Sequence, residues 1–206
     1  PGVKGQVFDA SGAPVGDEFL VNTETDNDQS SPSVAATPSG GFVVAWQSFD
    51  GKTDTSGPGI KARIFDANGD PINDELLVNA ETNGRQIDPS VDALPSGGFV
   101  VTWESNAGLN DPFDFWVKGR VFDANGDPVN DEFRINTETS GFQWRTSVAA
   151  LSSEGFVVTW QSSAGFADSE IKGQIFDASG VPVGDEFLVN TETSERQYNP
   201  SVAALP

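Results

Sequence analysis

The sequence contains no cysteine, no histidine and no methionine. Without cysteine the chain cannot form disulfides, so cysteine usage does not indicate the redox compartment. The commonest general base, the thiol nucleophile and the ligands of soft metals are missing too. The remaining chemistry belongs to carboxylates, hydroxyls, amides and a few basic side chains. Because Pro1 stands where a start methionine would be, we expect a processed or excised segment.

Basic residues and long apolar runs are also scarce. The 206 residues include 11 Lys and Arg against 31 Asp and Glu, which gives a net charge of −20. So acidic a surface repels nucleic acid and anionic membranes, and it suits solubility, cation binding or cationic partners. No apolar run is long enough to span a bilayer, and no signal peptide is visible. We therefore expect neither nucleic-acid binding nor membrane insertion.

One repeated pattern dominates what the sequence does contain. The segment Val-Lys-Gly-Gln-Val-Phe-Asp at Val3–Asp9 recurs, with conservative changes, at Ile60–Asp66, Val117–Asp123 and Ile171–Asp177. The offsets of 57, 57 and 54 residues indicate a repeat protein. A second segment, Gly-Phe-Val-Val-Ala/Thr-Trp, recurs with its tryptophan at Trp46, Trp103 and Trp160.

Each full repeat predicts four short antiparallel strands, which we letter A to D from the inside outward. Their period-two alternation and their β-branched and aromatic residues favour strands, and no segment carries a sustained helical period. An Asn-Gly pair between strands C and D is a strong hairpin signal. The predicted examples are strand A at Pro89–Leu94, strand B at Gly98–Glu104, strand C at Ile60–Asp66 and strand D at about Ile72–Asn79.

Four antiparallel strands in about 57 residues are the size of a propeller blade. The predicted fold is therefore all-β, with repeated four-stranded, β-propeller-like blades in an incomplete ring; the alternative is a row of tandem β-sandwich modules. The predicted strand order leaves one blade without a strand B, so we expect a longer array or assembly with other chains. The predicted divisions are 1–28 (strands C and D), the repeats 29–85, 86–142 and 143–196, and 197–206 (a further strand A).

Variation within the repeat is confined to one predicted face. The spacing from the strand C phenylalanine to the next strand B tryptophan is always 38 residues, whereas the following B–C loop varies. We expect the invariant tryptophans to be core and the fixed glutamine of each D–A connection to be structural. Variable loops on a rigid scaffold are typical of binding sites. The alternative is that surface loops vary in sequence without a function and that their aromatic residues pack against the edges of the blades. The candidate ligand-binding residues are the aromatics of this face: Phe49, Phe113, Phe115, Trp116, Trp144, Phe166 and Tyr198.

Two C–D turns are rich in oxygen ligands. Calcium takes six to eight oxygens, and spaced Asp and Asn around a glycine supply several. The same residues are also good hairpin formers, and the distal glutamate of the helix–loop–helix calcium site is missing. Calcium is therefore the one expected cofactor, and its candidate ligands are Asp66, Asn68, Asp70, Asp123, Asn125 and Asp127, with Asp50, Asp54 and the stretch 110–114 as further candidates.

Paired carboxylates occur in every copy, the first at Asp17-Glu18. Neighbouring residues of a strand point to opposite faces, so each pair makes a poor acid–base dyad. We therefore do not expect an enzyme.

Three motifs resemble the repeats of very large secreted bacterial proteins. They are Gly-Gly-Phe-Val-Val-Thr-Trp at 97–103, Phe-Asp-Ala-Asn-Gly-Asp-Pro-Val at 122–129 and Glu-Phe-Leu-Val-Asn-Thr-Glu-Thr at 186–193. The proteins they resemble are calcium-associated exoproteins of the repeats-in-toxin type and surface adhesins. That resemblance implies export, a propeller-like fold and a role in adhesion or in a surface layer. The Gly-Gly-x-Gly-x-Asp calcium repeat of that class does not occur in this sequence.

Together these observations predict a secreted or cell-surface module without catalytic activity. Its variable-loop face would contact a glycan or a protein on a cell surface. The first alternative is a structural protein in which further copies of the repeat assemble into a surface layer, sheath or filament. The second alternative is a glycan-active enzyme with a carboxylate site.

Overall fold

The computed structural model describes residues 2–51, 57–108, 114–139, 141–163 and 169–205. These ranges hold 14 β-strands and no helix, so the all-β prediction is confirmed. Accordingly, none of them contains a helix able to cross a bilayer.

The strands form one two-stranded sheet followed by three four-stranded sheets, and every pairing within a sheet is antiparallel. The two-stranded sheet consists of β1 (Lys4–Phe8) and β2 (Pro14–Leu20). The first sheet consists of β3 (Gln29–Ala36), β4 (Phe42–Ser48), β5 (Gly59–Phe65) and β6 (Leu76–Leu77). The second consists of β7 (Gln86–Ala93), β8 (Phe99–Ser105), β9 (Trp116–Phe122) and β10 (Phe133–Arg134). The third consists of β11 (Phe142–Ala150), β12 (Phe156–Ser163), β13 (Glu170–Phe176) and β14 (Pro182–Leu188).

Strand A begins three residues earlier than predicted because it contains a bulge. In the second sheet, Gln86 and Ile87 pair with Ser105 and Glu104, after which the register shifts before Ser90. Asp88 lies in the gap with φ 50°, in the left-handed region that side chains rarely adopt. The same left-handed backbone recurs at Ser31, Arg145 and Asn199.

Strand D is shorter than predicted in the first two four-stranded sheets. The predicted strand Ile72–Asn79 is reduced to β6, whereas its counterparts β2 and β14 keep seven residues each. The cause is Asn73, whose Oδ1 accepts a hydrogen bond from the N–H of Ile64 at 3.0 Å and so replaces the backbone ladder there. The strands that stay long have a glycine at that position, Gly16 and Gly184.

The sheets pack side by side like propeller blades. β7 packs against β3 and β4, and β11 packs against β7 and β8, so the A strands of successive sheets are neighbours. One apolar layer lies between each pair of sheets, with the strand B tryptophan facing the preceding sheet: Trp103 packs among Val43, Ile60 and Ile64. Trp46, Trp103 and Trp160 are completely buried, so their prediction as core residues is confirmed.

Each buried tryptophan has a fixed partner. The indole Nε1 of Trp46 donates to Gln29 at 3.0 Å, that of Trp103 to Gln86 at 2.9 Å, and that of Trp160 to Gln143 at 3.0 Å. A buried indole N–H needs an acceptor, and a glutamine at the start of strand A supplies it. The prediction that the repeated glutamine is structural is therefore confirmed.

Candidate binding site on the loop face

The start of strand A, the end of strand B and the start of strand C meet at one end of each sheet. In the first sheet Gln29 is opposite Ser48, and Ser48 is opposite Gly59. The D–A connection and the B–C loop therefore emerge at the same end, which we call the loop face. This geometry brings the variable segments together.

Four aromatic residues lie in the two chain segments that meet at the loop face between the second and third sheets. Phe115 forms a parallel β-bridge with Phe142, and the carbonyl of Phe115 accepts a hydrogen bond from the N–H of Gln143 at 3.2 Å. The ring of Phe142 stacks on that of Trp144, with centroids 5.0 Å apart. Trp116 follows Phe115 at the start of β9, so its side chain lies on the opposite face of that strand, the face turned away from the third sheet. We call this set, Phe115, Trp116, Phe142 and Trp144, the aromatic junction.

Arginines surround the aromatic junction. The guanidinium of Arg85 lies 5.8 Å from the ring centroid of Phe115, and that of Arg134 lies 5.2 Å from the ring of Trp116. Arg145 follows Trp144 at the strand A bulge, where its side chain is exposed and donates to Asn199. Half of the six arginines of this acidic chain thus lie beside aromatic residues of these two segments.

A buried carboxylate, that of Glu104, lies at the boundary between the second and third sheets. Glu104 is 4 % exposed and accepts a hydrogen bond from the N–H of Arg145 across the sheet boundary. Burial raises the pKa of the Glu104 carboxyl to about 8; the Asp88 carboxylate adds to the rise, and Arg145 and Arg85 partly oppose it. The other copies have Gln47 and Gln161 at this position.

Two polar groups of the junction have no partner within the ranges that the structure describes. They are the indole Nε1 atoms of Trp116 and Trp144, both enclosed by neighbouring atoms. Buried N–H groups are almost always hydrogen-bonded in folded proteins. Both indole N–H groups are enclosed in this conformation, so neither is exposed to an outside ligand.

The corresponding place between the first and second sheets has a different composition. Pro58 and Gly59 stand where the junction has Phe115 and Trp116, and Ile87 stands where it has Trp144. Gln47 replaces Glu104, and its Oε1 accepts a hydrogen bond from the N–H of Asp88 at 3.4 Å. The aromatic junction is thus a local departure from a scaffold that otherwise repeats.

The remaining aromatic candidates lie elsewhere. Phe49 is 37 % exposed and lines a shallow pocket of about 370 Å³ with Asn27 and Asp28 at the loop end of the first sheet. Tyr198 is 51 % exposed beyond the third sheet. Phe113 and Phe166 lie outside the described residues. Of the predicted set, Phe115, Trp116 and Trp144 lie in the two segments that meet between the second and third sheets. The Phe115 side chain is buried, and the Trp116 side chain lies on the opposite face of β9.

The calcium candidates form hairpin turns. The Oδ1 of Asp66 accepts hydrogen bonds from the N–H groups of Asn68 and Asp70, both at 2.9 Å. These bonds, that of Asp70 above all, hold the pKa of the Asp66 carboxyl below its usual range. Asp123 makes the same contacts with Asn125 and Asp127.

Two further copies build the same turn with fewer oxygens. Asp9 accepts from the N–H of Ser11 at 2.8 Å, and Asp177 accepts from that of Ser179 at 2.9 Å. The hairpin role of this aspartate is therefore common to all four copies. The described residues contain no group of three or more acidic side chains placed to hold a metal ion. Of the further calcium candidates, Asp50 forms an ion pair with Lys61 at 2.7 Å, and Asp54 and residues 110–113 lie outside the described ranges.

The sequence analysis missed the role of the repeated glutamates in joining sheets. Glu75 forms an ion pair with Lys61 at 3.0 Å in its own sheet and accepts from the hydroxyl of Thr23 at 2.9 Å in the preceding unit. Glu132 accepts from the N–H of Ala80 at 2.7 Å in the same way. The available signal was that the acid recurs in every copy together with the lysine of strand C.

The chemistry offered by the loop face is that of non-covalent recognition, through flat aromatic rings and guanidinium groups. No protein-family model matches the chain, and no curated protein matches it either. The function proposed below therefore depends on the geometry and on the motifs of the sequence.

Proposed function

We propose that this chain is a non-catalytic extracellular binding module that contacts a glycan through the aromatic junction. The observation that carries the proposal is the stacked pair of Phe142 and Trp144 beside the exposed Arg145 at one point of a repeating scaffold. The other described junction between four-stranded sheets has no aromatic residue at these four positions, where Pro58, Gly59, Arg85 and Ile87 stand.

The chemistry of the junction suits a sugar. The C–H faces of a pyranose ring are apolar and pack on flat aromatic rings, while its hydroxyl oxygens accept hydrogen bonds. Trp144, stacked on Phe142, offers such a ring. Arg145 adds an exposed fork of donors for hydroxyl or carboxylate oxygens.

The described carboxylates support a non-catalytic role. Glu75, Glu132 and Glu186 each form an ion pair with the lysine of their own strand C. Glu104 faces the backbone N–H of Arg145 and is sealed from solvent. An acid–base dyad needs two carboxyl groups that both reach the substrate, and these groups are occupied in joining sheets.

The motifs of the sequence support an extracellular location. They resemble the repeats of secreted bacterial exoproteins and surface adhesins, whose role is contact with other surfaces. The net charge of −20 also suits a protein that stays soluble outside the cell.

The proposal is tested by probing the full chain against a glycan array and comparing three variants. Trp144→Ala should reduce binding to the best glycan at least about tenfold, a loss of roughly 1.4 kcal/mol, because the ring supplies the stacking surface. Arg145→Ala alters only an exposed side chain and should weaken binding without affecting folding. Phe49→Ala, on the loop face of the first sheet, is the matched control and should bind like the parent.

Equal binding by all three variants would refute the aromatic junction as the site. Binding of a protein and of no glycan would refute a glycan as the ligand and leave the loop face as a protein-binding surface.

A further inference from the structure

Lys61 of strand β5 is buried between two carboxylates. Its Nζ lies 2.7 Å from the Oδ2 of Asp50, in the B–C loop, and 3.0 Å from the Oε2 of Glu75, just before β6. Lys61 is 6 % exposed, and the side chains of Asp50 and Glu75 are 2 % and 10 % exposed. We call these three residues the buried triad. An amine and a carboxyl group are thus in contact at a place that water hardly reaches.

The lysine–glutamate pair is common to the repeats, but the aspartate is not. Lys118 of the second sheet and Lys172 of the third each form an ion pair with the repeated glutamate. The residue that corresponds to Asp50 is alanine in both repeats, at positions 107 and 164. Because the pair alone is enough to join the sheets, the aspartate of the triad requires a separate explanation.

The charges of the buried triad do not balance. One ammonium faces two carboxylates, and that of Glu75 also accepts from the hydroxyl of Thr23 at 2.9 Å. Enclosing an ion pair takes both ions out of water, a cost that their mutual attraction repays only in part. Conversion of the ammonium and one carboxylate into a neutral amide would remove this cost.

The triad contains the groups that amide formation needs. A lysine amine is a nucleophile once it has lost its proton, and contact with the carboxyl group replaces a chance encounter. Burial lowers the pKa of Lys61, but its hydrogen bonds to Asp50 and Glu75 outweigh that effect and raise the pKa on balance. The resting group is therefore an ammonium, and attack must begin with proton transfer to a carboxylate that already touches it.

We propose that the side chains of Lys61 and Asp50 become joined by an amide bond, with Glu75 as the proton carrier. Glu75 takes a proton from Nζ, the nitrogen forms a bond to Cγ of Asp50, and the bond from Cγ to one carboxylate oxygen breaks. That oxygen leaves as water with two of the three ammonium protons. The third proton stays on the amide nitrogen, and Glu75 ends ionised as it began. No oxidant or reductant is involved.

The bond would tie the variable B–C loop of the first sheet to strand C. It would close the segment between residues 50 and 61 covalently, and a cross-link of this kind stabilises a fold by restricting the unfolded chain. The chain contains no cysteine, so a disulfide cannot serve this purpose. The inference is independent of the proposed glycan binding.

The test is the intact mass of the full chain, followed by mapping of its tryptic peptides. Amide formation releases one water from the lysine and the carboxyl group, so the chain should be about 18 Da lighter than its sequence requires. Trypsin does not cleave after an acylated lysine. The peptide that contains Asp50 should therefore be recovered joined to the peptide that contains Lys61.

Three variants separate the triad from other causes of water loss. Lys61→Arg keeps a cation at the site and should restore the full sequence mass. Glu75→Gln keeps the shape but removes the proton acceptor, so it should lower the cross-linked fraction at least about tenfold at equal times after synthesis. Lys118→Arg, at the equivalent position of the second sheet, is the matched control and should still lack the mass of one water.

Full sequence mass in the parent chain would overturn the proposal and leave the triad as an ion pair. Water loss that persists in Lys61→Arg would also overturn it, because the source would then be cyclisation of Asp50 onto the N–H of Gly51. An unchanged cross-linked fraction in Glu75→Gln would overturn the role given to Glu75. None of these masses depends on glycan binding, which is measured at the aromatic junction.

Discussion

Replacement of Glu104 by glutamine should make the protein more stable at neutral pH and remove a pH dependence. Glu104 lies in the second sheet at the boundary with the third, and the N–H of Arg145 donates to its carboxyl group. The charged groups that influence its pKa come from three segments: Asp88 from β7, Arg145 from β11 and Arg85 from the connection before β7. Glutamine keeps the acceptor oxygen and cannot ionise.

The sign of the effect follows from the raised pKa. The Glu104 carboxyl has a pKa of about 8 in the folded chain against an ordinary value of 4.5. Between these values the folded state retains a proton that the unfolded chain releases, so the free energy of unfolding falls as pH rises through this window. From pH 4.5 to pH 7 the loss is about 3 kcal/mol, at about 1.4 kcal/mol per pH unit.

The assay is urea unfolding followed by tryptophan fluorescence at pH 4.5 and at pH 7, for the parent and Glu104→Gln. The gap in unfolding free energy between variant and parent should grow by about 3 kcal/mol from the lower to the higher pH. Gln47→Glu is the reciprocal control, because it places a carboxyl group at the equivalent buried position near Asp88. It should introduce a second loss of stability at neutral pH. Parallel pH profiles for parent and Glu104→Gln would refute the reasoning from burial.

Three further predictions concern the scaffold and its turns. Trp103→Phe should destabilise the chain by about 1–3 kcal/mol in urea unfolding, because it leaves the buried Gln86 oxygen without its donor. Glu132→Gln should weaken the contact between the first and second sheets. Because the pKa of Glu132 is lowered in the folded chain, the stability that its carboxylate contributes is present at neutral pH and lost in acid. The thermal midpoints of variant and parent should therefore converge near pH 3. Calcium binding at the two aspartate-rich turns is expected only at about 10⁻⁴–10⁻³ M, since each turn supplies few oxygens. Titration calorimetry of Asp70→Ala combined with Asp127→Ala should then show no heat of binding.

The strand C prediction from alternation was accurate to within a residue, because Ile60–Asp66 has a polar–apolar pattern that only a strand satisfies, and the observed strand is Gly59–Phe65. The strand D prediction failed where the side chain of Asn73 displaces the backbone ladder, an effect that strand propensity does not contain. The bulge in strand A was not visible either. Its left-handed residues are Ser31, Asp88 and Arg145, and no glycine marks the position.

Sequence comparison among the repeats predicted the loop face but not its centre. Trp116 and Trp144 were selected because they fall in variable segments, and the structure places these two segments side by side. Glu104 was overlooked because a glutamate that alternates with apolar residues in a strand normally faces water. Glu104 is buried because the third sheet packs over it, and the hydrophobic pattern of a single strand does not show such packing. The glutamine at both other copies was the signal that the position is enclosed.

The left-handed residue of strand A has a consequence for how such arrays diversify. The backbone conformation there is the same with Ser31, Asp88, Arg145 and Asn199, and all four side chains are exposed. Neighbouring members interact, as the hydroxyl of Ser31 does with the carboxylate of Asp88 at 3.0 Å. One substitution per repeat can therefore change the charge at the strand A bulge while the tryptophan–glutamine core stays unchanged. Evolution, or a protein engineer, can alter recognition by these repeats without redesigning the scaffold that displays it.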